Sequence, residues 1–176
     1  FIPPTIITRS THEVMKFLKK YKQAVIKPIY GNGGDGVFLL SKKDLNLNQI
    51  LESFLSLSKE PFMVQKYLPE ITRGDKRIIL INGKPVGAIA RVPKQNEIRS
   101  NIHAGGSAKK VSISKSDNAI CDAIGPELKK RKLFFVGIDI IGKYLTEINV
   151  TSPTCLIEIK KLSKIDIAKI IWNQLA

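Results

Sequence analysis

The sequence contains few of the residues that most often carry covalent or metal chemistry, with two histidines and two cysteines among 176 residues. Cys121 and Cys155 lack the spacing of zinc ligands, so we expect two buried thiols in a reducing cytoplasm rather than a metal site or a disulfide. No Ser–His or Cys–His arrangement indicates a protein nucleophile. No apolar run approaches the ~20 residues that a membrane span needs, and no secretory signal is visible. We therefore expect no membrane partner.

Acidic residues are also scarce: 15 Asp and Glu stand against 29 Lys and Arg, which gives a net charge of +14. A basic nucleic-acid-binding module is one interpretation of this charge. However, the lysines are spread along the chain, and no aromatic residues alternate with them in a pattern typical of RNA binding. A site for several anionic groups explains part of the charge more simply. We favour that interpretation over a nucleic-acid partner.

The first part of the chain, residues 1–70, predicts strands and helices around a glycine-rich loop. Ser10 and Glu13 form a capping-box pattern, which predicts a helix that runs to about Tyr21. "AVIKP" and "GVFLL" predict two strands, and "FMVQKYL" predicts a buried strand that leads into a connector. "LNQILESFLSL" has apolar residues at helical spacing.

The second part, residues 71–176, predicts two hairpins and further helices. "KRIILINGKPVGAIARV" is two apolar strands around Asn82-Gly83, and "LFFVGIDII" and "YLTEINV" form a second pair around Gly142. Ser114 and Asp117 predict a capped helix that is interrupted or restarted at Gly125-Pro126, and the C-terminal stretch is predicted to be helical. The fold class is therefore α+β with antiparallel sheets.

The glycine loop in "KPIYGNGGDGV" matches the G-x-G-x-x-G pattern through Gly31, Gly33 and Gly36. A dinucleotide-binding turn is followed by a helix, whereas Val37 begins an apolar strand here. The loop lacks G-K-[ST], and the chain lacks the kinase motifs H-R-D and D-F-G. A glycine loop between antiparallel strands can instead cover the phosphates of a nucleotide, with Lys27 beside it. An ordinary hairpin turn with a surface lysine remains the alternative for this loop alone.

Three oxygen-bearing side chains on the second hairpin predict a metal site: Asp139, Glu147 and Asn149. Glu147 and Asn149 are two residues apart on one strand and share a face. A two-residue turn at Gly142-Lys143 would point Asp139 away from Glu147, whereas a three-residue turn would pair residue 141 with 145 and bring the carboxylates together. We favour the three-residue turn. Carboxylate and amide oxygens together with substrate phosphates suit Mg²⁺.

Several stretches of the sequence resemble the ATP-grasp part of bacterial glutathione synthetase. The resemblance rests on "KPIYGNGG", "MVQKYLP", "GDKRIILINGKPV" and "GIDIIG", and above all on "LTEINVTSPTC". It extends over nearly all of the chain. "EIN" alone indicates only the ATP-grasp superfamily, whereas "TEINVTSPT" is much more specific.

The resemblance implies an ATP-grasp fold of two lobes, residues 1–70 and 71–176, with the nucleotide site between them. It implies that ATP, bound with Mg²⁺ or with Mn²⁺ in its place, phosphorylates the cysteinyl carboxylate of γ-glutamylcysteine and leaves as ADP. The amine of glycine then attacks the acyl phosphate and expels phosphate. The alternative is another ATP-grasp carboxylate–amine ligase with a different substrate. The family's N-terminal subdomain has no counterpart here, so we expect the chain alone to be inactive. A homo-oligomer of the complete enzyme is compatible with the resemblance.

The resemblance also implies a role for individual residues. Nucleotide contacts are implied for a lysine, the flap glycines, the connector and one aspartate: Lys27, Gly31, Gly33, Gly34, Gln65, Lys66, Tyr67, Leu68 and Asp75. Three arginines match catalytic positions near the transferred phosphate and the peptide: Arg77, Arg91 and Arg99. Peptide contacts are implied for Asn101, Ser152, Pro153 and Thr154. The metal ligands are Asp139, Glu147 and Asn149.

Two further features concern how these residues come together. If Asn82-Gly83 makes a two-residue turn, Arg77 and Arg91 are expected on opposite faces of the sheet, and only one of them can then meet the ligand. A three-residue turn would bring them to the same face. Residues 92–108 are polar and without periodicity, which favours a loop; we expect a lid that excludes water from the acyl phosphate. The family pattern has an arginine after the paired glycines of this loop, where this chain has Ser107.

Overall fold

The computed structural model describes residues 1–30, 34–95, 97–100, 102 and 105–175. The chain divides into two compact units, Ile2–Pro69 and Glu70–Ala176, and Phe1 belongs to the second of them. Each unit is built on one antiparallel sheet, so the α+β class predicted from the sequence is confirmed. Among the described residues, we find no helix with the length and apolar character of a membrane span.

The unit Ile2–Pro69 is a four-stranded sheet with two helices on one face. The strands lie in the order β1-β4-β2-β3. Apolar residues of both helices pack with alternate residues of the strands, including Phe17, Leu51, Ile26 and Val64. The elements are β1 (Thr5–Thr8), α1 (Thr11–Tyr21), β2 (Gln23–Pro28), β3 (Phe38–Ser41), α2 (Leu47–Leu57) and β4 (Phe62–Lys66).

The start of α1 follows the sequence prediction, but the predicted capping box is only half formed. The hydroxyl of Ser10 accepts the backbone N–H of Glu13 at 3.4 Å, which satisfies one of the exposed donors of the first turn. The carboxylate of Glu13 does not return to the Ser10 N–H. It accepts the hydroxyl of Thr8, and Thr8 Oγ1 accepts the Ser10 N–H at 2.9 Å. A threonine of β1 therefore replaces the reciprocal contact.

The unit of Glu70–Ala176 and Phe1 is a five-stranded sheet with three helices. The strands lie in the order β7-β6-β5-β8-β9, and a short 3-10 helix at Pro69–Arg73 precedes β5. The elements are β5 (Asp75–Ile81), β6 (Lys84–Val92), β7 (Ser107–Lys110), α3 (Lys115–Lys130), β8 (Phe135–Ile141), β9 (Tyr144–Asn149), α4 (Leu156–Ser163) and α5 (Ile167–Leu175).

The alternation of residues along the strands gives this sheet two apolar faces. On one face Ile78 and Leu80 pack with residues of α3 such as Ile120. On the other face Ile79 and Ile81 pack with residues of α4 and α5. That second face is apolar only toward one end of the strands, because the same face of β5 begins with Asp75 and Arg77.

The predicted interruption of α3 is wrong, because the helix continues through Gly125-Pro126. Buried residues lie on both sides of the pair, so tertiary packing continues the helix despite the proline. Gly125 lies against the Asn82-Gly83 turn, and a Cβ at Gly125 would come within 2.6 Å of the Gly83 carbonyl oxygen. The C-terminal stretch is helical as predicted, but it forms two helices separated at Lys164, which has a φ of +63°.

The hairpin of β5 and β6 has a two-residue turn, yet it keeps both arginines on one face. Asn82 and Gly83 have φ of +49° and +72°, as a type I′ turn requires. Ile81 pairs with Lys84, but the register shifts by one residue, and Val86 has no opposite residue. The expectation that a two-residue turn separates Arg77 from Arg91 is therefore wrong, because a β-bulge at Val86 restores the shared face.

The hairpin of β8 and β9 repeats this arrangement. Ile141 pairs with Tyr144 across a two-residue turn, so the predicted three-residue turn is wrong. A register shift leaves Thr146 without an opposite residue, and its hydroxyl donates to the Asp139 carbonyl at 3.1 Å. Asp139 consequently lies opposite Glu147. The predicted pairing of the two carboxylates is confirmed, and its cause is a bulge rather than a longer turn.

Candidate functional site

Four charged side chains lie buried on one face of the five-stranded sheet: Asp75, Arg77, Arg91 and Asp139. Each is between 2% and 6% exposed. Asp75 is directly opposite Arg91 on β6, and Arg77 is directly opposite Asp139 on β8, so the strand register brings opposite charges together. Two arginines and two aspartates make the group neutral, which is what burial of full charges requires.

The four side chains form a continuous chain of ion pairs. Arg77 is bidentate to Asp139, through Nε to Oδ1 and through Nη2 to Oδ2 at 2.8 Å. Arg91 contacts the same Asp139 Oδ2 at 2.8 Å. Arg91 is also bidentate to Asp75, with Nε at 2.9 Å from Oδ1 and Nη2 on Oδ2. Bidentate guanidinium–carboxylate pairs fix orientation as well as charge, so each arginine is held in one direction.

The pKa values of the two aspartates are shifted in opposite directions. Burial favours a higher pKa for Asp139, but hydrogen bonds from Arg77 and the charge of Arg91 outweigh it, so the pKa of Asp139 lies below its ordinary value. Burial raises the pKa of Asp75, and the charge of Asp139 adds to the rise although Arg91 opposes it. Burial would lower the pKa of Arg91, but the two aspartates raise it above its ordinary value. Both arginines therefore remain cationic.

The predicted metal ligands lie beside this network, on β8 and β9. Glu147 is exposed and opposite Asp139, and Asn149 is half-buried and opposite Gly137. In the orientation that satisfies its neighbours, the Asn149 amide donates to Glu147 Oε1 at 3.0 Å and accepts from Arg77 Nη2 at 3.3 Å. All three oxygen donors are thus on one face, at the edge of the arginine network.

The donor set fits Mg²⁺ when anionic phosphates accompany the ion. Asp139, Glu147 and Asn149 supply the hard oxygen atoms that Mg²⁺ prefers. Asp139 is held by two arginines, whose charge would repel a lone cation. Among the residues that the structure describes, no group of three or more His, Cys, Asp and Glu could hold a metal. The site therefore suits a metal–phosphate complex better than a bare metal ion.

The predicted peptide-contacting turn, Ser152 to Thr154, lies next to Arg77. Arg77 Nη1 is 3.5 Å from Thr154 Oγ1, and Ser152 and Thr154 are exposed while Pro153 is buried. Gly137 of β8 makes this proximity possible. A Cβ at Gly137 would lie 2.9 Å from Pro153 Cβ and 3.3 Å from Arg77 Cδ.

The predicted lid segment, residues 92–108, connects two paired strands. Val92 of β6 lies opposite Ser107 of β7. Between them, Arg99 contacts Glu97, Ser100 is buried and hydrogen-bonds Asp75, and Ile102 packs against the apolar cluster of α4 and α5. Asn101, a predicted peptide contact, lies outside the described residues.

Two of the predicted nucleotide residues, Lys27 and Gln65, alternate with the residues that pack against the helices and so lie on the opposite face of the four-stranded sheet. Lys27 Nζ is 3.4 Å from Gln65 Oε1, and Gln65 Nε2 donates to Thr5 Oγ1 at 3.0 Å. The Thr5 hydroxyl donates to the carbonyl of Pro3 at 2.8 Å. This series of hydrogen bonds fixes the buried Gln65 amide and, through it, the lysine.

The connector and the flap are placed only in part. The backbone N–H of Lys66 donates to the Pro4 carbonyl at 2.9 Å, and that of Tyr67 donates to the Gln23 carbonyl at 3.2 Å. These two N–H groups are therefore already hydrogen-bonded within the protein. Gly34 has a φ of +81° in the turn that precedes β3. The flap residues Gly31 and Gly33 lie outside the described residues.

The sequence did not single out three residues that support the predicted site: Thr5, Glu97 and Gly137. Thr5 could not be found because β1 was not predicted. Gly137 stands between two apolar residues in "FVGID", and a glycine inside a strand is a signal of close approach. Glu97 lies two residues before Arg99, a spacing that carries no signal in a loop.

The fold is that of the ATP-grasp ligases. The chain matches the structure of the ATP-grasp ligase PsnB complexed with minimal precursor, Mg and ADP, with a TM-score of 0.71 and 20% identity over 99% of this chain and 52% of that chain. It also matches D-alanine–D-alanine ligase from Bacillus anthracis, with a TM-score of 0.62 and 18% identity over 85% of this chain and 51% of that chain.

Sequence relationships define the family more closely. Residues 1–164 match the family described as "Prokaryotic glutathione synthetase, ATP-grasp domain". The glutathione synthetases of Mesorhizobium japonicum and Synechococcus elongatus are 49% and 46% identical over 98% and 94% of this chain. The chain belongs to this family, and the resemblance identified from the sequence is confirmed. It spans about half the length of these curated relatives, 55% and 51%.

Proposed function

We propose that the complete protein joins γ-glutamylcysteine to glycine at the expense of ATP, through an acyl phosphate. Family membership supports the reaction type. The observation that carries the proposal is the pair of buried arginines, Arg77 and Arg91, fixed by carboxylates beside three oxygen donors. Phosphoryl transfer to a carboxylate brings several negative charges together, and fixed positive charge next to a metal site offsets their repulsion. The cytoplasm, where thiols remain reduced, is the proposed location.

Asp139, Glu147 and Asn149 would hold Mg²⁺, or Mn²⁺ in its place, together with the ATP phosphates. The bound metal would supply charge neutralisation to the phosphates. Arg77 contacts Asp139 and lies near both Asn149 and Thr154, which supports a role in which it would orient a phosphoryl oxygen beside the peptide turn. Its pKa is raised above the ordinary value, since hydrogen bonds and charge from Asp139 overcome the effect of burial. Arg77 therefore binds as a permanent cation and transfers no proton.

The peptide and the acyl phosphate are assigned to the turn and the lid. Ser152 to Thr154 would contact the carboxylate of γ-glutamylcysteine, and Arg99 would contact the transferred phosphoryl group from the loop 92–108. An acyl phosphate is hydrolysed by water, so a loop that closes over it protects the intermediate until glycine attacks. Asn101 and the paired glycines 105 and 106 belong to the same proposed lid.

The nucleotide is assigned to Lys27, the flap, the connector and Asp75. Lys27 is half-buried on a sheet face and its ammonium donates to Gln65, which supports its assignment as the cation that would contact an anionic group of the nucleotide. The N–H groups of Lys66 and Tyr67 are engaged with backbone carbonyls. We therefore assign the adenine contacts of the connector to carbonyl groups and to the Leu68 N–H.

The test of this proposal is Glu147→Gln in the complete enzyme. We expect kcat for glutathione formation to fall on the order of a hundredfold or more, because the substitution removes one charged oxygen ligand of the proposed metal site. Glu127→Gln is the matched control, since Glu127 is exposed on α3, away from the charged face. Normal turnover by Glu147→Gln would contradict the assignment, and a folded complete enzyme that forms no glutathione from these substrates would contradict the proposed reaction.

A further inference from the structure

The carboxylate of Glu97 collects three hydrogen bonds within its own loop. Oε1 accepts the backbone N–H of Ile98 at 2.8 Å and that of Arg99 at 3.0 Å. Oε2 accepts Arg99 Nη2 at 2.7 Å. Hydrogen bonds from the side chain and then the backbone of Arg99 lower the pKa of Glu97 to about 2, so the group is an anion at neutral pH. One side chain thus fixes both the backbone and the guanidinium of Arg99.

We propose that Glu97 is a positioning residue that orients Arg99 for the transferred phosphoryl group. The inference rests on the proposed function, in which Arg99 is the phosphate-binding residue of the lid. Nothing in the sequence pattern pointed to Glu97. The carboxylate contacts no substrate in this role and acts only through Arg99.

The contacts around Arg99 support a role in which Glu97 orients Arg99, rather than one in which Glu97 withholds it from the substrate. Next to Arg99, Ser100 is buried, and Ile102 packs against the apolar cluster of α4 and α5. These contacts anchor the backbone on one side of Arg99, and the two N–H bonds to Glu97 fix it on the other. A guanidinium carries five N–H groups in a planar fork, so a guanidinium that is held by a carboxylate can also bind a phosphate.

Limited proteolysis of the complete enzyme tests, independently of activity, whether Glu97 holds Arg99 in place; we call this contact the clamp. Trypsin must extract the Arg99 side chain to cut after it, so cleavage follows the population of the opened loop. We expect Glu97→Gln to accelerate this cut roughly fivefold or more, since a charge-assisted hydrogen bond is lost, and Glu97→Ala to accelerate it further. The cut after Lys94, measured in the same digest, is the internal reference. Glu127→Gln, which removes a Glu–Arg pair of 2.6 Å on α3, is the matched control.

Steady-state kinetics of the same variants test positioning. In the complete enzyme, Glu97→Gln should lower kcat about tenfold with little change in the KM for the peptide, because misplacement of Arg99 affects the transition state more than peptide binding. Glu127→Gln should remain within about twofold of the wild type. A purely structural Glu97 would lower the unfolding temperature without this split between kcat and KM.

The outcomes separate the inference from the function on which it rests. Equal Arg99-to-Lys94 cleavage ratios in Glu97→Gln and the wild type would overturn the clamp. Faster turnover in Glu97→Gln would also overturn the inference, because it would mean that Glu97 withholds Arg99 from the substrate. If the complete enzyme showed no ligase activity, the proposed function would fail while the proteolysis result still decided whether Glu97 holds Arg99.

Discussion

Replacement of Asp139 by Asn tests how much the buried ion-pair network contributes to stability. The Asp139 carboxylate receives three contacts from Arg77 and Arg91, and it is 2% exposed. Asparagine keeps the shape but removes the charge, and it turns one acceptor into a donor that faces a guanidinium. Two buried cations then share a single anion, Asp75.

The size of the effect follows from these contacts. Loss of three charge-assisted hydrogen bonds at about 1.5–3 kcal/mol each gives an upper limit of roughly 5–9 kcal/mol. The remaining amide oxygen of asparagine retains part of this, and breaking a buried ion pair typically costs about 3–5 kcal/mol. We expect a loss near that range. For a chain of this size it corresponds to a fall in unfolding temperature of roughly 6–20 °C.

Urea and thermal unfolding of the purified chain, followed by far-UV circular dichroism at pH 7, measure this loss. Glu147→Gln is the control, because Glu147 is exposed on the neighbouring strand and its replacement should change the free energy of unfolding by only about 0.5 kcal/mol. The pair of variants separates two roles on one sheet face. If Asp139→Asn unfolded within about 1 kcal/mol of the wild type, the network would not be a net source of stability.

Two further substitutions test other parts of the sheet. Gly137→Ala should raise the KM for the peptide in the complete enzyme severalfold, because the new methyl group displaces Pro153; Gly87→Ala, which meets only apolar side chains of α4 and α5, should lower stability without that change. Asp117→Asn should destabilise the chain by about 1–2 kcal/mol at pH 7. Although burial raises the pKa of Asp117, hydrogen bonds from Lys76 and from the residue that caps α3 lower it overall. The stabilisation is therefore fully present above pH ~4 and is lost as the pH falls through the lowered pKa of the folded state. A difference between the variant and the wild type that did not shrink on acidification below pH ~4 would contradict this origin.

Elements with a complete local signal were predictable from the sequence. The apolar spacing of α2 gave Leu47–Leu57, the bounds found in the structure. The four-residue strands β1 and β7 were missed. β7 is "SAKK", which has no alternation of apolar residues, and its strand character comes from pairing with β6 rather than from its own sequence.

The residue types of the candidate site were predictable, but the contacts that orient them were not. Asp75 was predicted to contact only the nucleotide, whereas in the structure its carboxylate accepts hydrogen bonds from Arg91. That contact depends on cross-strand register, which a bulge of one residue changes without leaving a mark in composition or periodicity. The pairing of Asp139 with Glu147 was predicted correctly, but the predicted cause was wrong. The extra residue of this hairpin was expected in the turn, whereas it is Thr146, in a bulge of β9.

The bulges at Val86 and Thr146 determine how each hairpin tolerates insertions and deletions. Deleting Val86 would remove only the unpaired residue, because its neighbours Pro85 and Gly87 already lie opposite consecutive residues of β5. The hairpin would become regular, and Arg91 would stay opposite Asp75. A single residue inserted in the turn would lengthen the loop between Ile81 and Lys84 without changing the pairs beyond it. We therefore expect single-residue changes of length at either hairpin tip to be absorbed by the turn or the bulge, with the paired charges kept in place.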